Sequence, residues 1–229
     1  MSLRVAGGLA ALACAATYVV GFAMILTVLA PLGYGTDRID ADAVVAFSAE
    51  RPGLLIAWNT TIYVANALAL AVLVVALHAR LRPARPGLAA LGRMLGTIWA
   101  TLVLAAGMIA NVGVERAHAL AHDPQAAAAL WQMLHAVELG LGGGNEIAGG
   151  AWILVVSAAA GQGGPLGRAA PALGLATGLA GLATVVPPLG EAAGAAFGLG
   201  AILWFVLVGG RLLRPPAGGA RGVAREPGS

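Results

Sequence analysis

The placement of its arginines constrains this chain more than any other feature. All 13 basic side chains are Arg, and long apolar stretches run between them. Val5–Thr36, Pro52–Ala79, Met94–Val114, Ala169–Gly190 and Ala192–Gly210 contain no Asp, Glu or Arg; a sixth stretch, Trp131–Ala160, contains Glu138 and Glu146. Each can cross a hydrocarbon core of about 30 Å, which takes a helix of roughly 20 residues. The expected fold is therefore all-α, a polytopic membrane protein with a single bundle of six transmembrane helices. The spans are expected at about 5–30, 53–79, 92–114, 133–160, 169–187 and 191–213, within one domain over 1–214. Residues 215–229, rich in Pro and Gly and lacking apolar periodicity, read as a disordered cytoplasmic tail.

A chain with 59% hydrophobic and 10% charged residues lies far from the soluble-domain average. Its net charge of +3 does not mark a nucleic-acid binder, because the arginines collect at span ends instead of forming a stripe with aromatics. The lone cysteine, Cys14, falls inside the first apolar run and excludes an intramolecular disulfide. That run is too long for a signal-peptide core, so it reads as a retained first span.

Arg4, Arg80, Arg82, Arg85, Arg93, Arg168, Arg211, Arg214, Arg221 and Arg225 fall on one side of a six-span layout, with Glu226 the lone acid beside them. The positive-inside rule then puts both termini in the cytoplasm. In the first outer loop, Ala41–Glu50 reads as a short amphipathic helix with Val44, Val45 and Phe47 on its apolar side, lying at the interface. Asp123-Pro124 is a helix start, with Asp as N-cap and Pro at the first helical position. Continuous helix from Pro124 to Ala160 would run roughly 55 Å, so it must project outward or bend at Gly142-Gly143-Gly144. The outward extension, carrying Trp131, is the expectation. Leu73-Val74-Val75 and Leu154-Val155-Val156, each before an inner turn, hint at a repeat of spans two–three in four–five.

Polar side chains are costly in hydrocarbon, so their positions point to a site. At 100° per residue, His135, Glu138, Gly142, Asn145, Glu146 and Gly149 share one face of span four. Thr97, Thr101, Met108, Asn111 and Glu115 share a face of span three, and Asn59, Tyr63 and Asn66 one of span two. All three stripes are heavier in the outer half, which fits an outward-facing polar cavity; bland interhelical hydrogen bonding would explain any one of them. The candidate ligand-binding residues are Asn59, Asn66, Asn111, Glu115, His135, Glu138, Asn145 and Glu146. Glu146 would be the ionisable switch, Glu138 and Glu115 the cation-attracting mouth, and the Asn side chains neutral ligands.

Glu115-x-x-His118, His135-x-x-Glu138 and the pair His118 and His122 have spacings found in metal sites. The second pair is reversed and no second Glu-x-x-His occurs, so no cofactor is predicted, with a divalent metal at Glu115, His118, His122, His135 or Glu138 as the alternative. His78 reads as interfacial. Gly174, Gly178 and Gly181, with Gly194 and Gly198, would let spans five and six approach closely or dock on a second copy or membrane partner.

Three stretches give the chain a family likeness: DADAVVAFSAERPGLLIAWN, LWQMLHAVELGLGGGNEIAGGAWILVVSAA and LATVVPPLGEAAGAAFGLGAILWFVLVGGRLL. Through them it resembles bacterial six-span membrane proteins of unknown function, the DUF4386-like group. The resemblance implies a bacterial inner-membrane location and supplies no activity or catalytic residue. The leading functional expectation is a non-enzymatic protein that binds or moves a small solute, cation or proton. The alternatives are a metal-dependent membrane enzyme and a helper subunit of a membrane complex.

Overall fold

The computed structural model describes residues 1–36, 38–143, 146–161 and 164–215. Among them nine α-helices follow in order: α1 (Leu3–Leu26), α2 (Ala41–Glu50), α3 (Pro52–Asn59), α4 (Asn66–Leu81), α5 (Pro86–Ala119), α6 (Pro124–Glu138), α7 (Ile147–Ala160), α8 (Ala169–Ala183) and α9 (Gly190–Leu213). No strand occurs among the described residues, so the chain is all-helical there. Most of the expected tail, 216–229, lies outside them.

Two of the long helical runs contain a π-helical segment. Thr60–Ala65 joins α3 to α4 in one unbroken run, Pro52–Leu81. Leu139–Gly143 follows α6, and there Gly142 takes φ 128°, a conformation open to glycine and strained for other residues. The expected continuous helix over Pro124–Ala160 is thus interrupted at Gly142; Gly144, the last of the three glycines, lies outside the described residues. α6 itself packs against α2 and the C-terminal part of α5.

Five stretches are long and apolar enough to cross a membrane: Leu3–Leu26, Pro52–Leu81, Pro86–Ala119, Pro187–Leu213 and, broken at Gly142, Pro124–Ala160. α8 is apolar but has 15 residues, about 22 Å at 1.5 Å per residue, shorter than the expected 169–187. α1 likewise stops at Leu26, because the chain then turns through Ala30–Leu32 toward Gly33, which has φ 78°. The architecture is that of a helical membrane bundle.

α1, α4, α5, α7, α8 and α9 form a closed ring in which each packs on the next and α9 returns to α1. The ring's interior is plugged by aromatic side chains. Trp99 of α5 meets Trp152 of α7 at 5.4 Å and stacks parallel to Phe205 of α9 at 6.4 Å, while Trp152 stands edge-on to Trp204. Where lipid is as apolar as the side chains, such dispersion contacts and close backbone approach hold helices together. Gly150 provides the approach between α7 and α8: a Cβ there would lie 2.7 Å from the Gly178 carbonyl oxygen.

The glycines of α8 and α9 serve the expected approach of these two helices in part: a Cβ at Gly174 would run into Trp204 of α9, and one at Gly181 into Phe197 of α9. Gly178 and Gly181 receive α7, Gly198 receives Phe22 of α1, and Gly194 faces open space. Polar ties complete the ring. Arg4 donates to the carbonyls of Leu212 (2.5 Å) and Arg214 (2.6 Å), capping the end of α9. His78 pairs through Nδ1 with the Ala89 carbonyl at 3.0 Å, so it is a half-buried link from α4 to α5 rather than only an interfacial residue.

A second, separate core forms at the other end of the molecule. Val44 and Val45 of α2 are buried with Leu55, Trp58, Val114, Ala127 and Trp131. Helix α2 has the expected bounds and apolar residues, but its apolar side covers protein, not a lipid interface. Asp123 accepts from the Ala126 N–H at 3.1 Å, so the expected cap of α6 is present.

Candidate functional site: a carboxylate-lined cavity

A cavity of about 660 Å³ lies where the two cores meet. Trp58, Trp131, Tyr63, Phe22 and Glu146 are among the residues that line it. A smaller chamber of about 160 Å³ shares Phe22, Ile25, Ile62, Tyr63 and Glu146 with it and extends toward Thr17 and Asn66.

Tyr63, Glu138 and His135 form a hydrogen-bonded polar group on this wall. Tyr63 sits on the π segment after α3, and its stem fits against Gly107 of α5, where any Cβ would overlap it. Its hydroxyl donates to Glu138 Oε1 at 2.6 Å. His135, one turn before Glu138 on α6, lies with Nδ1 at 2.7 Å from Glu138 Oε2. Facing a carboxylate, Nδ1 carries the ring proton; Nε2 is then an acceptor when the ring is neutral and a donor when it is charged. Trp131, four residues earlier, stacks on the imidazole at 4.6 Å and 16°. Tyr34 stands edge-on to both Trp58 (5.2 Å) and Trp131 (6.5 Å), which closes the aromatic side of the cavity. Burial, with the nearby Glu138 carboxylate adding to it, raises the Tyr34 phenol well above its usual range and keeps it neutral.

Glu146 stands at the N-terminus of α7, where an anion is favoured by the helix dipole. Its backbone N–H donates to Thr184 Oγ1 at 3.0 Å, and that hydroxyl donates to the Gly181 carbonyl at 2.6 Å. The carboxylate lines both chambers and has no hydrogen-bond partner among the described residues. Asn59 is 4% exposed and lines the larger chamber, and its amide also has no partner among the described residues.

The expected site residues are divided by this geometry. Asn59, His135, Glu138 and Glu146 line the larger chamber, and Asn66 the smaller. Asn66 is also structural: it donates to Thr17 Oγ1 at 2.6 Å and ties α4 to α1. Asn111 does not line either chamber; it donates to Thr60 Oγ1 at 3.1 Å beside the π segment. Glu115 is exposed on α5 and outside both walls, so it is not the mouth. Thr97, Thr101 and Met108 are exposed too, and the two threonines satisfy their hydroxyls on Arg93 and Thr97 carbonyls of their own helix. The polar stripe of the third span thus turns away from the cavity. Glu138, the other expected mouth residue, is 6% exposed and engaged on both oxygens. Asn145 lies outside the described residues.

Several wall residues were not anticipated. Tyr34, Trp58, Thr184 and the exposed Glu191 join the cavity from distant parts of the chain. Glu191, the lone acid beside the Pro187-Pro188 turn, carried the one signal in sequence that could have found its place at the rim. As for a metal, His118 and His122 are exposed near the end of α5, away from the His135–Glu138 pair. Among the described residues no group of three or more His, Cys, Asp or Glu comes together as a metal site would need.

No protein-family model matches the sequence, and neither a curated protein nor a solved structure matches it.

Proposed function

We propose that this chain is a six-span inner-membrane protein of the DUF4386-like kind, both termini cytoplasmic, that binds and moves a small solute, cation or proton through an outward-facing cavity. α8 is the sixth span in this reading. Its 15 residues fall short of the core thickness, and the Val185–Leu189 connection supplies the remaining apolar length. The arginine distribution then orients the Trp58–Trp131 end outward.

One observation carries the functional part. Glu138 and Glu146, on either side of the Gly142 break, both line a cavity of about 660 Å³ whose described walls hold no arginine. Carboxylates at that depth are expensive unless a cation, a proton or a set of donors compensates them. Tyr63 and His135 compensate Glu138, which leaves Glu146 as the group that exchanges its counter-charge. The Tyr63–Glu138–His135 relay fixes part of the same wall and places an imidazole beside the ligand space.

A thermal-shift screen of ions and small metabolites on detergent-purified protein tests this, with Glu146→Gln as the control. The variant should melt like the parent without ligand and lose ligand-induced stabilisation. Stabilisation unchanged by Glu146→Gln removes Glu146 from the site and ends the proposal.

A further inference from the structure

We infer that the cavity is built for an organic ammonium ion carrying an apolar body, with Glu146 as its counter-ion and the Tyr34, Trp58 and Trp131 rings as its wall. This deepens the proposed function and rests on the cavity being a cation site.

Four observations separate such a ligand from a metal ion. First, a hard cation such as magnesium or calcium collects about six oxygen ligands. Both oxygens of Glu138 are already engaged, by Tyr63 and His135, and no three-residue ligand group occurs among the described residues. Second, the space of about 660 Å³ is that of a small-molecule site, far larger than a bare ion needs. Third, the walls are largely apolar and aromatic, and ring faces attract ammonium groups whose weak hydration lets them leave water. Fourth, three polar groups on the wall stand without a partner among the described residues: the Glu146 carboxylate, the amide of Asn59, which is more than nine-tenths buried, and the Trp58 indole N–H. A carboxylate, an amide and an indole donor suit a ligand with a single positive charge and a further polar group that accepts hydrogen bonds. The exposed Glu191 at the rim adds attraction of the same sign, and no arginine of the described wall opposes it.

Gly194 offers a second handle on the same space. It lines the cavity, and nothing lies within 4 Å of where its Cβ would stand, so a side chain there enters ligand volume without displacing protein.

The test is equilibrium binding to the full chain in detergent micelles. The probes are choline, benzyltrimethylammonium, the uncharged choline isostere neohexyl alcohol, and sodium, potassium, magnesium and zinc ions. At least one ammonium probe should bind saturably, with neohexyl alcohol weaker by about tenfold or more and the metal ions not competing. Glu146→Gln and Gly194→Phe should each weaken ammonium binding about tenfold or more, and Gly194→Phe should keep the parental melting temperature. If Glu146→Gln fails to fold, the Gly194→Phe result decides. Metal-ion binding that depends on Glu146, with no ammonium binding, overturns this inference and leaves the cation site standing. Equal binding of neohexyl alcohol, or ammonium binding indifferent to both variants, overturns the cation site itself. Absence of binding by every probe overturns both.

Discussion

Tyr63 and Glu138 are 75 residues apart in sequence and joined by a 2.6 Å hydrogen bond between phenol and carboxylate. Each lies in or beside a π-helical segment, Thr60–Ala65 for Tyr63 and Leu139–Gly143 for Glu138. A π segment shifts the register of the residues after it relative to an ideal helix, and such segments recur at functional sites. Here two of them meet across one cavity, which gives the relay a fixed geometry on helices rather than on loops.

Tyr63→Phe should remove one of the two donors on a buried carboxylate while leaving the ring seated against Gly107. Hydrogen bonds to charged groups contribute about 1.5–3 kcal/mol, so a loss of that order is expected in reversible unfolding. A variant as stable as the parent would show that Glu138 does not depend on this phenol.

His135→Ala and Tyr63→Phe should be non-additive, because both act on one carboxylate. The double variant should lose less than the sum of the singles, or more, by at least about 0.5 kcal/mol. Strict additivity in the cycle would mean that the two donors act independently.

Gly150→Ala should destabilise the protein and Gly194→Ala should not. At Gly150 the new methyl meets the Gly178 carbonyl and the Leu182 nitrogen, at 2.7 and 2.9 Å, and should cost about 1–3 kcal/mol. At Gly194 it meets nothing, and the higher helix propensity of Ala should leave stability unchanged or raised by up to about 1 kcal/mol. Thermal melts of the two variants side by side check this; equal effects would contradict the packing between α7 and α8.

Orientation can be read with thiol reagents. The native Cys14 is 0% exposed and should not react, so single cysteines can be introduced in its presence. Asp123→Cys should label with a membrane-impermeant maleimide in intact cells, and Arg82→Cys only after the membrane is opened. The opposite pattern would invert the proposed topology.

Much of the fold can be read from sequence because it follows from one-dimensional signals. Apolar length located the runs that became α1, α4, α5, α7 and α9, and the Asp123 cap and the bounds of α2 follow from local chemistry. The site was less legible for two physical reasons. A helical wheel assumes constant rotation, and this assumption fails at Leu139–Gly143, so placing Glu146 on the same face as His135 was a coincidence of a broken helix. A wheel also cannot say which face of a helix looks inward. The Thr97–Thr101 stripe satisfies its own hydroxyls and faces out, while Gly107, which carries no polar signal, faces Tyr63. The aromatic wall was least legible, since Tyr34, Trp58 and Trp131 come from three separate segments.

The capping of α9 by Arg4 bears on biogenesis. Helices α1 and α9 are neighbours in the ring although α9 is the last helix of the ring to be made, so the circle cannot close before α9 has been synthesised. Until α9 emerges, the flank of α1 that includes Gly8 has no partner, and the nascent bundle remains an open arc. Docking of α9, rather than insertion of the first helix, is therefore the step at which the cavity acquires its final wall, Gly190, Glu191 and Gly194 included.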